Sequence, residues 1–189
     1  MDIDSAGRGS GHLSAAPERS ALDAFFAQYY ARNPVTATFT GVHTHDHRLP
    51  DWSRGGRDVE LAEMRELHAR LLVEHPLPTG GFAALRHDAV ALDAELARAN
   101  LDVRIAEARS GHFLDRNPAL WTGEAIFGCV SLMIRDFAPV AERMSALRAR
   151  LAAIPAFLFE MRSALSGPVP TFWRMRAERE CVAAQQLFG

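Results

Sequence analysis

The side chains best suited to chemistry lie in Gly41-Val42-His43-Thr44-His45-Asp46-His47, where three imidazoles alternate along a short run beside a carboxylate. His43, His45 and His47 would line one side of an extended segment, and imidazole is a donor that zinc takes at about 2 Å. Tetrahedral ligation also needs donors that converge, each ring oriented by a second partner, and one short run seldom supplies this. The three histidines are therefore candidate metal ligands, with a structural or solvated loop as the preferred reading. His68 and His75 lie near one apolar helix stripe with Glu63 and Glu66 close by, but their order is not His-Glu-x-x-His, which sets two ligands and a base on adjacent turns. Each reads as a partly buried histidine bonded to a neighbour. Asp88, Glu95 and Asp102 recur every seven residues as an acidic row, which reads as a solvated seam paired with arginines.

Other chemistries lose their usual support. No Gly-x-Ser-x-Gly elbow occurs, and neither glycine pattern that cradles phosphate is present. Cys129 and Cys181 fall on apolar helix faces, where a buried reduced thiol is expected, and an apolar setting raises the Cys129 pKa and leaves it inert. All 21 basic residues are arginines, scattered among 23 acidic residues for a net charge of −2, so no block of either sign invites nucleic acid. The first twenty residues hold no apolar stretch suited to a signal peptide or a membrane span, so the expected address is the cytoplasm.

These residues need elements to position them, and the 48% hydrophobic content over 189 residues is enough to bury a core. Residues 1–16, rich in Gly and Ser, read as a disordered leader, and residues 17–189 as one helical domain. Pro17-Glu18 starts a helix carrying Leu22, Phe25, Phe26 and Tyr29 to about Arg32, and Asn33-Pro34 opens a short second one that Gly41 stops. Val42 to Arg57 reads as loop. A helix from Asp58 to His75 follows, then a longer one from Phe82 to about Arg109 with two apolar stripes. One stripe holds Phe82, Leu85, Leu92, Leu96 and Val103, the other Val90, Ala94, Ala97, Leu101 and Ile105, which predicts neighbours on both sides.

Pro118 opens a strongly apolar helix to about Ile134, expected to be well buried. The register from Val140 to Leu158 crosses Pro155, which should kink or divide its helix, and Gly167-Pro168 ends it. The last helix puts Trp173, Ala177, Cys181, Ala184 and Phe188 on one face and reaches the C-terminus without a cap, so more protein is expected beyond it. No sustained period-two alternation appears. The expected fold is all-α, an irregular bundle of six to eight helices without significant sheet.

Several separated stretches stand in a fixed order: Asn33-Pro34, Ala37-Thr38, Gly41, then Asp46-His47-Arg48-Leu49-Pro50-Asp51-Trp52-Ser53, then Asn117-Pro118 with Trp121, and finally Arg150-Leu151-Ala152-Ala153-Ile154-Pro155-Ala156-Phe157-Leu158. Together they resemble the bacterial family known as domain of unknown function 885. The resemblance spans about residues 20 to 167. It implies a helical protein roughly three times this length, whose later part is similar to zinc carboxypeptidases and other gluzincins, with a His-Glu-x-x-His helix holding the metal. Zinc would there polarise a peptide carbonyl and activate a bound water. This chain lacks that motif, so no catalytic residue transfers to it and it is expected to be inactive by itself.

The residues that carry over are a family signature, expected to be structural: Gly41, Asp46, Arg48, Leu49, Asp51, Ser53, Asn117, Pro118, Arg150, Leu151 and Pro155. Arg48 with Asp51 or Ser53 should bond backbone and cap the following helix. The expected role is the N-terminal scaffold of a peptidase-like protein, its partner being the missing C-terminal portion or a second copy. The alternative is a standalone helical binding or dimerisation module.

Overall fold

The computed structural model describes residues 20–77, 79, 88–110 and 113–188, and among these it holds seven α-helices and no strand. The helices are α1 Ala21–Arg32, α2 Pro34–Thr40, α3 Arg54–Glu74, α4 Ala89–Ser110, α5 Pro118–Val130, α6 Val140–Ala164 and α7 Thr171–Phe188, with a single 3-10 turn at His43–His45. The all-α expectation holds. The leader, the Pro17-Glu18 start, and Phe82 and Leu85 of the first α4 stripe fall outside the described residues. No helix among the described residues is long and apolar enough to cross a membrane.

Local chemistry sets most of the boundaries. Ser20 caps α1 by accepting from the Asp23 N–H at 3.1 Å, Pro34 and Pro118 occupy first-turn positions where a missing N–H costs nothing, and Asn117 Oδ1 accepts from the Ala119 N–H at 3.1 Å. Gly41 ends α2 at φ 96°, a left-handed conformation that favours glycine, while its N–H bonds back to the preceding turn.

The core is divided. Phe25, Met64, Leu67, Leu71, Ala94, Ala97 and Leu101 join α1, α3 and α4 in one cluster. Val35, Leu49, Trp121, Ala125 and Phe157 form a second around α5 and α6, and Cys129, Leu132 and Leu147 a third beside it. In the second cluster the rings of Trp52, Trp121 and Phe157 meet with centroids 5.0 to 5.4 Å apart, and the Trp121 indole N–H donates to the Leu114 carbonyl at 3.0 Å. Polar links tie the first cluster at its rim: Arg32 pairs with Glu63 at 2.7 Å, Arg104 with Glu60, and Glu74 accepts from the Ala21 N–H at 2.6 Å.

Several expectations need correction. The loop predicted to reach Arg57 stops at Ser53, because the Ser53 hydroxyl caps α3 by accepting from the Gly56 N–H at 3.1 Å. Glycine is required at 56: a Cβ there would lie 2.4 Å from Asp51 Cγ and 2.6 Å from the Asp51 carbonyl oxygen. Pro155 does not divide α6, which runs unbroken from Val140 to Ala164. The helix expected to continue to Ile134 ends at Val130, where the chain turns over Ser131, and Met133 and Ile134 are exposed. Among the described residues one face of α4 is packed, since Ala94, Ala97 and Leu101 are buried whereas Leu92, Leu96 and Val103 are exposed. On α7 the packed line drifts from the expected face: Ala177 is buried, but Cys181 is exposed.

Candidate functional site

Two signature residues, Arg48 and Asp46, meet at the buried side chain of a third, Arg150. Arg150, from the middle of α6, is fully buried, and its guanidinium has five N–H donors to satisfy. Nε donates to the Arg48 carbonyl at 3.0 Å, Nη2 to the Pro34 carbonyl at 3.2 Å and to Thr38 Oγ1 at 2.6 Å, and Nη1 to the Gly128 carbonyl and to Ser131 Oγ at 3.3 Å. All five donors are spent on neutral acceptors. A charge this deep needs an anion, and the nearest route is Thr38, whose hydroxyl lies 2.6 Å from Asp46 Oδ1 and hands the positive field on to that carboxylate. Burial pulls the Arg150 pKa down, opposed by Asp46, Cys129 and Glu124. Gly128 lets the clasp close, because a Cβ there would sit 3.0 Å from Leu49 Cδ2 and 3.1 Å from Val35 Cγ2.

Around this clasp several signature residues have local tasks. Asp51 Oδ1 accepts from the Ser53 N–H at 3.1 Å, so Asp51 and Ser53 together shape the start of α3. Arg48 takes part through its carbonyl. Leu49 packs in the second core cluster, and Leu151 packs against the third. The guanidinium is consumed in holding α2, the loop from Val42 to Ser53, α5 and α6 together, so the clasp is a positioning device.

The histidines do not assemble. The His43 ring stacks on Phe137 with centroids 3.8 Å apart and its Nδ1 lies 3.1 Å from Asp46 Oδ2. His45 is pulled below its ordinary pKa, first by partial burial and then by Arg48 and His47. His47 is exposed. Among the described residues no three His, Cys, Asp or Glu side chains come together as a metal could use them. Zinc therefore finds no matching donor set in the described part of this chain. His68 Nε2 pairs with Asp102 at 3.0 Å, Glu95 pairs with Arg98, and Asp88 accepts from the Ala91 N–H at 3.0 Å, so the acidic row is engaged residue by residue. Cys129 is buried and its thiol is raised by burial, as an inert thiol should be.

The chemistry overlooked by motif reading is a groove of about 500 Å³ where α7 lies along α5. Leu120, Glu124 and Phe127 form its floor at i, i+4 and i+7 of one helix, with Arg176 and Glu180 on the far wall. Glu180 is satisfied: it accepts from Thr122 Oγ1 at 2.5 Å and from Arg176 Nε at 2.8 Å. Glu124 has neither hydrogen bond nor ion pair among the described residues, and burial pushes its carboxyl up to about 7, with Arg150 pulling the other way. Two carboxyls in one groove are thus set apart, one bonded to Thr122 and Arg176 and the other pushed toward neutrality by burial. A signal for Glu124 was present in the sequence, since it is the only charged residue in Pro118–Val130.

A family model described as "Bacterial protein of unknown function (DUF885)" matches residues 34–185. No curated protein matches the chain, and no solved structure does.

Proposed function

The chain belongs to the DUF885 family of bacterial proteins of unknown function, and from that premise we propose that it is a helical scaffold walling one side of the substrate cleft in a zinc-peptidase-like architecture. In this reading it positions other elements and supplies no catalytic residue. The observation that carries it is apolar surface that nothing in the described chain covers. Leu92, Leu96 and Val103 are 40%, 59% and 58% exposed along one line of α4, and Phe172, Val182 and Leu187 are exposed on α7. Contiguous apolar surface on a folded protein marks a place where something else packs. The Arg150 clasp supports the same reading, because the residues resembling the family signature build rigidity and not reactivity.

The decisive experiment reads the genomic DNA past the codon for Gly189. A continuation, in frame or frameshifted, that encodes His-Glu-x-x-His is the expected result; an unrelated gene with its own start there removes the scaffold reading. Biochemically, the purified chain should turn over no peptide and hold no stoichiometric zinc after dialysis. Zinc that stays bound and is lost on His45→Ala would instead make the histidine loop the site.

A second reading, a binding or dimerisation module without catalytic activity, is favoured by the spacing on α4. Leu92, Leu96, Ala99 and Val103 alternate four, three and four residues apart, the seam of a helix that pairs with another helix.

A further inference from the structure

We propose that the groove between α5 and α7 is a recognition site for a peptide segment that places a lysine or arginine side chain on Glu124 and apolar neighbours on Leu120 and Phe127. The inference stands on the groove and does not require the peptidase reading. Three observations carry it. Leu120 and Phe127 are 36% and 40% exposed although Trp121, Ala125 and Cys129 of the same helix are buried, so its outward side offers two apolar footholds. Phe39 of α2 extends the second foothold, its ring centroid 5.4 Å from that of Phe127. Between the footholds sits Glu124, a carboxyl with no hydrogen bond or ion pair among the described residues, lining the open groove.

Charge complementarity selects the occupant. Among the described residues, each other charge that faces Glu124 is already committed: Arg150 of α6 behind it to five acceptors and, through Thr38, to Asp46; and Arg176 and Glu180 of α7 to one another. Cys129 on the same helix carries a raised thiol pKa and stays neutral. A cation arriving from solvent is the one group that both relieves the desolvated carboxylate and leaves these pairs intact, whereas an acidic ligand meets two carboxylates and an arginine that is already engaged. Because the cation binds the ionised form, occupancy should rise with pH as Glu124 deprotonates.

The test uses acetylated, amidated pentapeptides of sequence Leu-Ala-X-Ala-Leu, with X lysine, norleucine or glutamate, followed by amide chemical shifts of the 189-residue chain. At pH 8 the lysine peptide should shift the groove amides and bind about five- to tenfold tighter than the norleucine peptide, the advantage of one charge-assisted contact. That margin should shrink at pH 5.5 and vanish in Glu124→Gln. Leu120→Arg, at a partly exposed position that tolerates a long side chain, should weaken the lysine peptide while circular dichroism shows an unchanged fold. Equal binding of the lysine and norleucine peptides, a lysine preference that survives Glu124→Gln, or no shift with millimolar lysine peptide would each overturn the proposal.

Discussion

At the scale of single residues, the two side chains that matter most are opposite in kind. Arg150 is fully buried and fully bonded, so removing it strips partners from three carbonyls and leaves the Thr38–Asp46 pair facing a void. Arg150→Ala should lower the unfolding free energy by about 3–5 kcal/mol, the range for breaking a buried charged network, and Arg150→Lys should recover only part because three ammonium donors cannot serve five acceptors. Urea denaturation of both variants checks this; a loss under about 1 kcal/mol for Arg150→Ala would mean the clasp is not structural. Glu124 works through pH. Its folded pKa of about 7 lies above the ordinary 4.5, so the folded state holds the proton more tightly, and that stabilisation is complete below pH 4.5 and lost as pH rises through 7. Glu124→Gln, which mimics the protonated form, should match the wild type near pH 4 and exceed it at pH 8 by on the order of 3 kcal/mol. Parallel pH profiles for the two proteins would contradict that assignment. Arg150 was legible only through the family resemblance, since nothing in its neighbourhood distinguishes it from Arg148 or Arg162. Its acceptors lie 19 to 116 residues away, a distance over which sequence spacing carries no signal.

At the scale of elements, hydrophobic period and cap residues locate helices well but say little about what an end does. The start of α3 illustrates this, because a Gly-Gly pair reads as a breaker and instead lies in the first turn, admitted by Ser53 and required by Asp51. The two glycines are separable. Gly55→Ala meets nothing within 4 Å, so it should stabilise by a few tenths up to about 1 kcal/mol through lower entropy of the unfolded chain. Gly56→Ala should cost several times that, about 2 kcal/mol or more, because its methyl would overlap both the side chain and the backbone of Asp51. Thermal melts of the two variants, scored for opposite signs, decide the matter. Pro155 failed as a breaker for a related reason: α6 packs before and after it, through Leu147 and Phe157, and that burial outweighs one missing hydrogen bond.

At the scale of the whole molecule, the all-α architecture was readable because seven periodic segments admit no other layer to cover them. Which faces would be covered was not, because an apolar stripe does not name its neighbour. On α4 both stripes look alike in sequence, yet one enters the core with α1 and α3 and the other meets solvent. Substitutions on the two faces should therefore separate folding from association. Leu101→Ala, on the inner face, should cost about 2–5 kcal/mol of stability as a core truncation. Leu96→Glu, on the outer face, should change the stability of the isolated chain by no more than about 0.5 kcal/mol. If two copies pair along this seam, light scattering at rising concentration should show the wild type gaining mass while Leu96→Glu stays monomeric, since a carboxylate at the centre of a helix seam is left without water or partner. A wild type that stays monomeric throughout rules out self-pairing and leaves the outer face to the larger architecture. A large loss of stability in Leu96→Glu would contradict both readings, because it would place that face inside the chain's own core.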